Sequence, residues 1–288
     1  MNVPSFGEQQ RVARELNALA SRTRNLINKL VEHGGYGETN AHEFDAEAGL
    51  DFGLTLVFIG ATQQQQWERL ITLHGGQNSA QRAFKQRLVK ELDSRGTVDV
   101  LRHGVVDHGA TIQLAYFRPA HGLTPELVAR YENNHLSATR QLRYERDSDK
   151  SVDLALFVNG IPVATVGLKN ALTGQTIDDA KKQYRSDRDP NNVTLGQRAV
   201  VHFAVDTERI ATTTRLAGPQ TRFLPFDQGH GKHAGNPPNS DGHRSTYLWQ
   251  WMWQRDAWPD LPQRFVHVAK VPRGSRKPAT MIFPRFHQ

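Results

Sequence analysis

The chain contains no cysteine in its 288 residues. That absence excludes disulfide scaffolds, thiolate zinc sites, iron–sulfur ligation and cysteine nucleophiles. Long apolar runs are missing too: the longest, around residues 54–61, falls far short of the ~20 residues a membrane-spanning helix needs. The opening Met1-Asn2-Val3-Pro4 has neither a basic nor an apolar stretch, so no secretory signal is expected and the cytoplasm is the expected compartment. Glycine and proline, 23 and 14 residues, are too few for a low-complexity chain. What remains has the length and apolar content to bury a substantial core.

Charge is unevenly placed. The net +7 resides entirely in residues 151–288, which hold 18 basic and 11 acidic side chains, while residues 1–150 balance at 18 of each. A basic half suggests a polyanionic partner, nucleic acid being the commonest, although a solvated basic surface has the same composition.

Ser5-Phe6-Gly7-Glu8 reads as a capping box opening a helix to about His33, with Val12, Leu16, Leu19, Leu26, Leu30 and Val31 as its apolar stripe. Further helices are expected at 63–73 and 79–92, the second carrying Phe84, Leu88 and Leu92 at four-residue spacing. Residues 97–102 and 111–117 read as strands, and Thr124-Pro125 as an N-cap with proline at the first helical position. Strands are expected at 137–144, 151–158, 161–170 and 198–205, and 208–214 is suited to pair with the last of them. Between the third and fourth, Thr176-Ile-Asp-Asp179 reads as a capping box for a helix ending before Pro190.

Asn159-Gly160 is a turn signal, so 151–158 and 161–170 form a hairpin. Alternation puts Val152, Leu154, Leu156 and Val158 on one face, with Asp153, Ala155 and Phe157 on the other. On the return strand Ala164, Val166 and Leu168 share one face, and Val163, Thr165, Gly167 and Lys169 the other. A strict two-residue turn would set Asp153 opposite Val166, the wrong parity for both apolar sets to face one core. The pattern therefore predicts a three-residue loop or a bulge, with Gly160 at positive φ and Asp153 sharing a face with Gly167 and Lys169.

An Asp on one strand and a Lys on the next suit metal-dependent phosphodiester cleavage. Carboxylates hold a hard cation, the cation polarises the phosphate and activates water, and the lysine stabilises the developing charge. Spacing alone is weak evidence. Ser151-Val-Asp-Leu-Ala-Leu-Phe-Val-Asn-Gly-Ile-Pro-Val-Ala-Thr-Val-Gly-Leu-Lys-Asn170 as a whole, however, resembles the nuclease segment of type I restriction enzyme R subunits. So do Thr173-Gly-Gln-Thr-Ile-Asp-Asp-Ala-Lys-Lys-Gln-Tyr-Arg185, Val201-His-Phe-Ala-Val-Asp206, Thr213-Thr-Arg-Leu-Ala-Gly218 and Phe223-Leu-Pro-Phe226. The likeness is dense from about residue 134 to 268 and fainter back to about 62.

The resemblance implies an α/β, restriction-endonuclease-like core: a mixed central sheet flanked by helices. It implies a nuclease domain over 1–268 with an N-terminal helical elaboration, and Mg²⁺-dependent cleavage of double-stranded DNA alongside methyltransferase and specificity subunits. Asp153 would be the metal ligand and Lys169 the catalytic lysine. Gln183 would be an additional site glutamine. Where relatives have Gln-x-x-x-Tyr this chain has Asp187 in the last place, and Tyr184 is carried over in its stead. Relatives read Glu-Leu-Lys where this chain reads Gly167-Leu-Lys169, so the second carboxylate is missing and cleavage is expected to be impaired. Glu43, Glu68 and Glu91 are the candidates for a third acidic ligand. The alternative is a non-catalytic DNA-binding or assembly module that keeps the nuclease fold.

Lys181, Lys182, Arg185 and Arg188 form a basic cluster on the helix after the hairpin, suited to DNA phosphates or simply a solvated face. Residues 281–288 resemble the segment where the ATP-driven motor of such subunits begins, with Gln288 at an adenine-contacting position. No phosphate-binding glycine loop follows, so 269–288, including Arg273, Arg276 and Lys277, is expected to be a basic connector without ATP hydrolysis. His230, His233 and His243 lie in a glycine-rich stretch and are a weak zinc candidate. Trp249, Trp251, Trp253 and Trp258 are expected in a buried helix, with Leu248, Trp251 and Met252 as its stripe.

Overall fold

A computed structural model describes residues 21, 23–120, 122–170, 174–231, 233–240, 242–259, 261–268, 281–284 and 286. The Ser5–Glu8 cap, Thr173, the basic residues Arg273, Arg276 and Lys277, and Gln288 lie outside the described residues. The helical elements are α1 (residues 23–33), α2 (Phe52–Thr62), α3 (Gln64–Leu73), α4 (Gln77–Arg95), α5 (Thr97–His103), α6 (Pro125–Glu132) and α7 (Ile177–Ser186). The strands are β1 (Tyr36–Glu38), β2 (Val105–Asp107), β3 (Ala110–Ile112), β4 (Leu136–Arg143), β5 (Ser151–Val158), β6 (Ile161–Leu168), β7 (Val201–Val205), β8 (Ile210–Thr213), β9 (Leu224–Pro225), β10 (His267–Val268) and β11 (Met281–Ile282). The fold is mixed α/β, and no helix among the described residues is long and apolar enough to cross a membrane.

Seven strands form the central sheet in the order β1-β4-β5-β6-β7-β8-β9. β1/β4 and β6/β7 are parallel and the other neighbours antiparallel. Antiparallel neighbours can be joined by tight turns, but the parallel β6/β7 pair needs a crossover, and α7 supplies it. α7 therefore lies across one sheet face. On the other face Leu154, Leu156, Ala164, Val166 and Leu168 join one continuous core with Phe58, Leu70, Phe84 and Leu88 from α2, α3 and α4. This is the mixed sheet flanked by helices expected from the sequence.

α3 and α4 form where the periodicity puts them, and Phe84, Leu88 and Leu92 are buried as expected. In α1 the buried apolar residues are Leu26, Ile27 and Leu30, and Val31, expected in the stripe, is exposed; Val12, Leu16 and Leu19 lie outside the described residues. α2 escaped the periodicity because it is apolar nearly all round. Its start is fixed by the Asp51 carboxylate, which accepts the Leu54 N–H at 3.0 Å. Residues 97–102, expected as a strand, are helical. Gly96 and Gly104 flank them at positive φ, and burial of Val98, Val100 and Leu101 outweighs the strand preference of the two β-branched valines. The strand expected at 111–117 stops at Ile112, where the Gln63 side chain replaces a strand neighbour, donating to Gln113 O and accepting from Gln113 N–H.

The β5–β6 hairpin meets the parity requirement with a bulge and not with a three-residue loop, and Gly160 lies at positive φ as expected. Asn159 and Gly160 form a two-residue turn with φ +51° and +82°, the mirror-type turn that matches strand twist. Val158 faces Ile161 and Phe157 faces Pro162, but Leu156 faces Ala164 and Leu154 faces Val166. Val163 is thus the extra residue of a bulge and joins the large core rather than the face of Thr165. Val152 also departs from its expected face and clusters with Ala155 and Phe157. Opposite this end of β5, Gln141 adopts φ +45° and interrupts the alternation.

The C-terminal region wraps back onto the sheet. Trp249, Trp253 and Trp258 are buried, Trp253 packing edge-on to Phe203 with ring centroids 5.4 Å apart. Trp251, expected in the apolar stripe, is 61% exposed, because residues 248–252 form one wide turn and not a regular helix. β11, within the segment expected as a connector, pairs with β10, and Phe283 and Phe286 pack on Phe226.

Candidate active site

Asp153 is buried near the start of β5. Continuing the β5/β6 register sets it opposite Gly167, and its Oδ2 accepts the Leu168 N–H at 2.7 Å. Its Oδ1 accepts from Gln141 Nε2 at 3.4 Å, while Ser151 Oγ donates to the same amide at 2.9 Å. Gln141 was not picked out from the sequence. It becomes visible only once β4 and β5 are paired, since the pairing sets it across from Asp153. A cleft of about 620 Å³, lined by Arg140, Gln141, Glu38 and Asn40 among others, opens beside it.

Lys169 follows β6, and its N–H donates to Val205 O at 2.8 Å, carrying the β6/β7 pairing one residue further. Burial holds its ammonium below the usual lysine range, the Asp153 carboxylate opposes that shift, and the Arg188 guanidinium adds to it. The Asp153 carboxylate is thus close enough to act on the Lys169 ammonium.

Gly167 lies between them in the chain and faces α7. A Cβ built there would sit 3.2 Å from Tyr184 Cε2 and 3.8 Å from Ala180 Cβ. Tyr184 is fully buried, and its phenol is pushed up to about 12, chiefly by burial. Its hydroxyl lies 2.9 Å from Thr165 Oγ1, which lies 2.7 Å from His202 Nδ1. Burial, with Arg188 second, lowers the His202 imidazole to about 3, so it is neutral at pH 7. This Tyr184–Thr165–His202 chain is closed to solvent and holds α7 to the sheet. Thr165 shares the face of Gly167 as alternation predicts, but nothing in the sequence pointed to His202.

The basic cluster divides. α7 begins with the expected capping box, in which Asp179 Oδ2 accepts the Thr176 N–H at 2.8 Å. It ends at Ser186, so Arg188, expected on this helix, lies beyond it. Arg188 is also buried, donating to Ser151 O at 2.7 Å and lying over the rings of Tyr144 and Tyr184. Arg185 donates to Thr221 O and lies over Phe223, and Lys181 pairs with Asp178. Lys182 is exposed and Gln183 half-buried.

Two of the three expected acid candidates lie away from Asp153. Glu68 accepts from Gln64 on α3, and Glu91 on α4 pairs with Arg87 and Arg95, in the helical layer on the other sheet face. Glu43 is exposed in a short turn, Ala41–Glu43. His230 and His233 exchange backbone hydrogen bonds in a tight turn, and with His243 they form no metal-type cluster.

The family is decided by a match along most of this region. Residues 20–221 fit the model of the family described as type I restriction enzyme R protein N terminus. The chain belongs to that family. No curated protein matches it. Within this type I R-protein domain the matched span runs from α1 past β8, and so includes Asp153, Gly167, Lys169, α7 and Arg188.

Proposed function

We propose that this chain is a nuclease-type domain of a type I restriction enzyme R protein that engages the phosphates of double-stranded DNA, with cleavage impaired. What supports it best is that Asp153 and Lys169 stand at neighbouring ends of β5 and β6, the carboxylate acting on the buried ammonium, with no acid at position 167 between them. Two buried cations, Lys169 and Arg188, lie near one buried carboxylate, Asp153; exposed Asp179 and Asp187 also act on Lys169, so the pull on a phosphate rests on the two buried cations. Exposed Lys182 adds a contact that fixes position without reading sequence.

A resident Mg²⁺ is not well served here. The ion prefers several oxygen ligands in octahedral array. Asp153 offers one carboxylate, already accepting from Leu168 N–H and Gln141, and position 167 offers no side-chain oxygen. Among the described residues no three potential ligands gather at Asp153. The residues present do not fit the ion, and no step is derived through it. Lys169 remains able to stabilise charge developing on a bound phosphate. Recognition and methylation of DNA would then rest with the other subunits of such a complex.

The space beside Gly167, filled by the Tyr184 ring, also supports the non-catalytic reading, a DNA-binding or assembly module. Plasmid nicking in Mg²⁺ separates the two. The chain is compared with Gly167→Glu, Gly167→Glu/Tyr184→Ala and Asp153→Ala, each checked for folding by melting. Gain of nicking in a Glu-bearing variant supports an impaired nuclease. DNA binding with no nicking in any variant supports the module. Strong nicking that survives Asp153→Ala would remove this corner from the chemistry.

A further inference from the structure

On the helical side of the molecule, His74, Asp107 and His108 gather from two separate elements. His74 caps the C-terminus of α3, its N–H donating to Leu70 O at 2.9 Å. Asp107 ends β2, and His108 with Gly109 forms the β2–β3 turn at φ +44° and +75°. His74 Nε2 lies 3.1 Å from Asp107 Oδ2, and His108 Nδ1 lies 2.8 Å from Asp107 Oδ1. The two imidazole rings stand edge to face with centroids 4.6 Å apart. One ligand atom from each residue falls within 4.8 Å of the others.

We propose that His74, Asp107 and His108 bind a borderline divalent transition metal of the Zn²⁺ type. Metal bonds of ~2.0–2.2 Å in tetrahedral array put ligand atoms roughly 3.3 Å apart. The 2.8 and 3.1 Å contacts already approach that spacing. The rest is closed by rotating His108, whose side chain is 51% exposed while those of His74 and Asp107 are 16% and 11% exposed. Two imidazoles and one carboxylate select such a cation over Mg²⁺ or Ca²⁺, which take oxygen ligands. The exposed His108 side leaves room for water as a fourth ligand, and the bound ion would clamp the end of α3 to the β2–β3 hairpin. This site is independent of the Asp153 corner, so its test stands apart from the nuclease reading.

The full chain is titrated with Co²⁺, followed by visible absorption, and with Zn²⁺, followed by calorimetry. His108→Asn and His74→Gln are measured beside it. Asn tolerates positive φ, so His108→Asn keeps the turn, and metal-free melting confirms that it is folded. The expected result is one equivalent of Co²⁺ with the bands of a four-coordinate site, displaced by Zn²⁺. Each variant should bind at least tenfold more weakly, since even outer-shell changes cost ~10–100-fold. Zn²⁺ should raise the melting temperature of the parent chain and not of His108→Asn. Absence of binding, or binding unchanged in folded His108→Asn, overturns the proposal.

Discussion

The ring of Tyr184 occupies the space into which a side chain at Gly167 would grow, with Cε2 3.2 Å from the nearest Cβ position. Tyr184 cannot retreat freely, because its hydroxyl is held at Thr165 and Arg188 lies over its ring. Gly167→Glu is therefore expected to lower stability by about 1–3 kcal/mol, the usual range for overpacking a filled core. Adding Tyr184→Ala should cost less in the Glu background than in the parent chain. Chemical denaturation of the four-member cycle measures that coupling.

Gly160 meets a harder limit. Its φ is +82°, and a Cβ there would run into the Asp51 carbonyl and Thr55 Oγ1. The turn is buried, since Asp51 N–H donates to Gly160 O at 2.8 Å and Thr55 Oγ1 donates to Asn159 O at 2.8 Å. Gly160→Ala should destabilise by about 3 kcal/mol or more, combining backbone strain with a clash that the N-cap of α2 cannot relieve. Urea unfolding gives the value.

His202 makes a pH prediction. Its imidazole falls from 6.5 to about 3 in the folded chain, so below pH 6.5 only the unfolded state takes the proton. Stability is then lost as pH falls. Between pH 6.5 and 5, above the range where most carboxylates titrate, the loss from this one group is about 2 kcal/mol. Melting across that window should show the drop in the parent chain and a flatter profile in His202→Asn. Equal slopes would place the acid sensitivity elsewhere.

Lys182 and Arg188 should separate in salt dependence. Lys182→Ala removes an exposed cation, so the slope of log affinity for duplex DNA against log salt should shrink by about one. Arg188→Lys keeps the charge but loses the planar group over Tyr144 and Tyr184, so the slope should hold while stability falls by about 1–3 kcal/mol. Filter binding at several salt concentrations and thermal melting read the two effects.

Elements written in local chemistry were legible in the sequence. Alternation marked β5 and β6, Asn159-Gly160 marked their turn, parity demanded a three-residue loop or a bulge, and Thr176 with Asp179 marked the start of α7. Each depends on residues within a few positions of one another. Residues 97–102 misled for the converse reason: their strand preference is a weak local signal that burial between flanking glycines overrode. Gln141, His202 and the filled space at Gly167 have no signature within their own segments. They acquire meaning only across the β4/β5 pairing or beneath α7.

The order of residues by itself determined where the hairpin turns, that Thr165 shares a face with Gly167, and that no acid stands two positions before Lys169. Only the tertiary structure decided that Tyr184 fills that gap, that Arg188 turns inward to Ser151, and that His74 meets an aspartate 33 residues away. The division follows from range. Backbone alternation and capping act over a few residues and are written in sequence, whereas packing across a sheet joins side chains whose separation along the chain carries no trace of their contact.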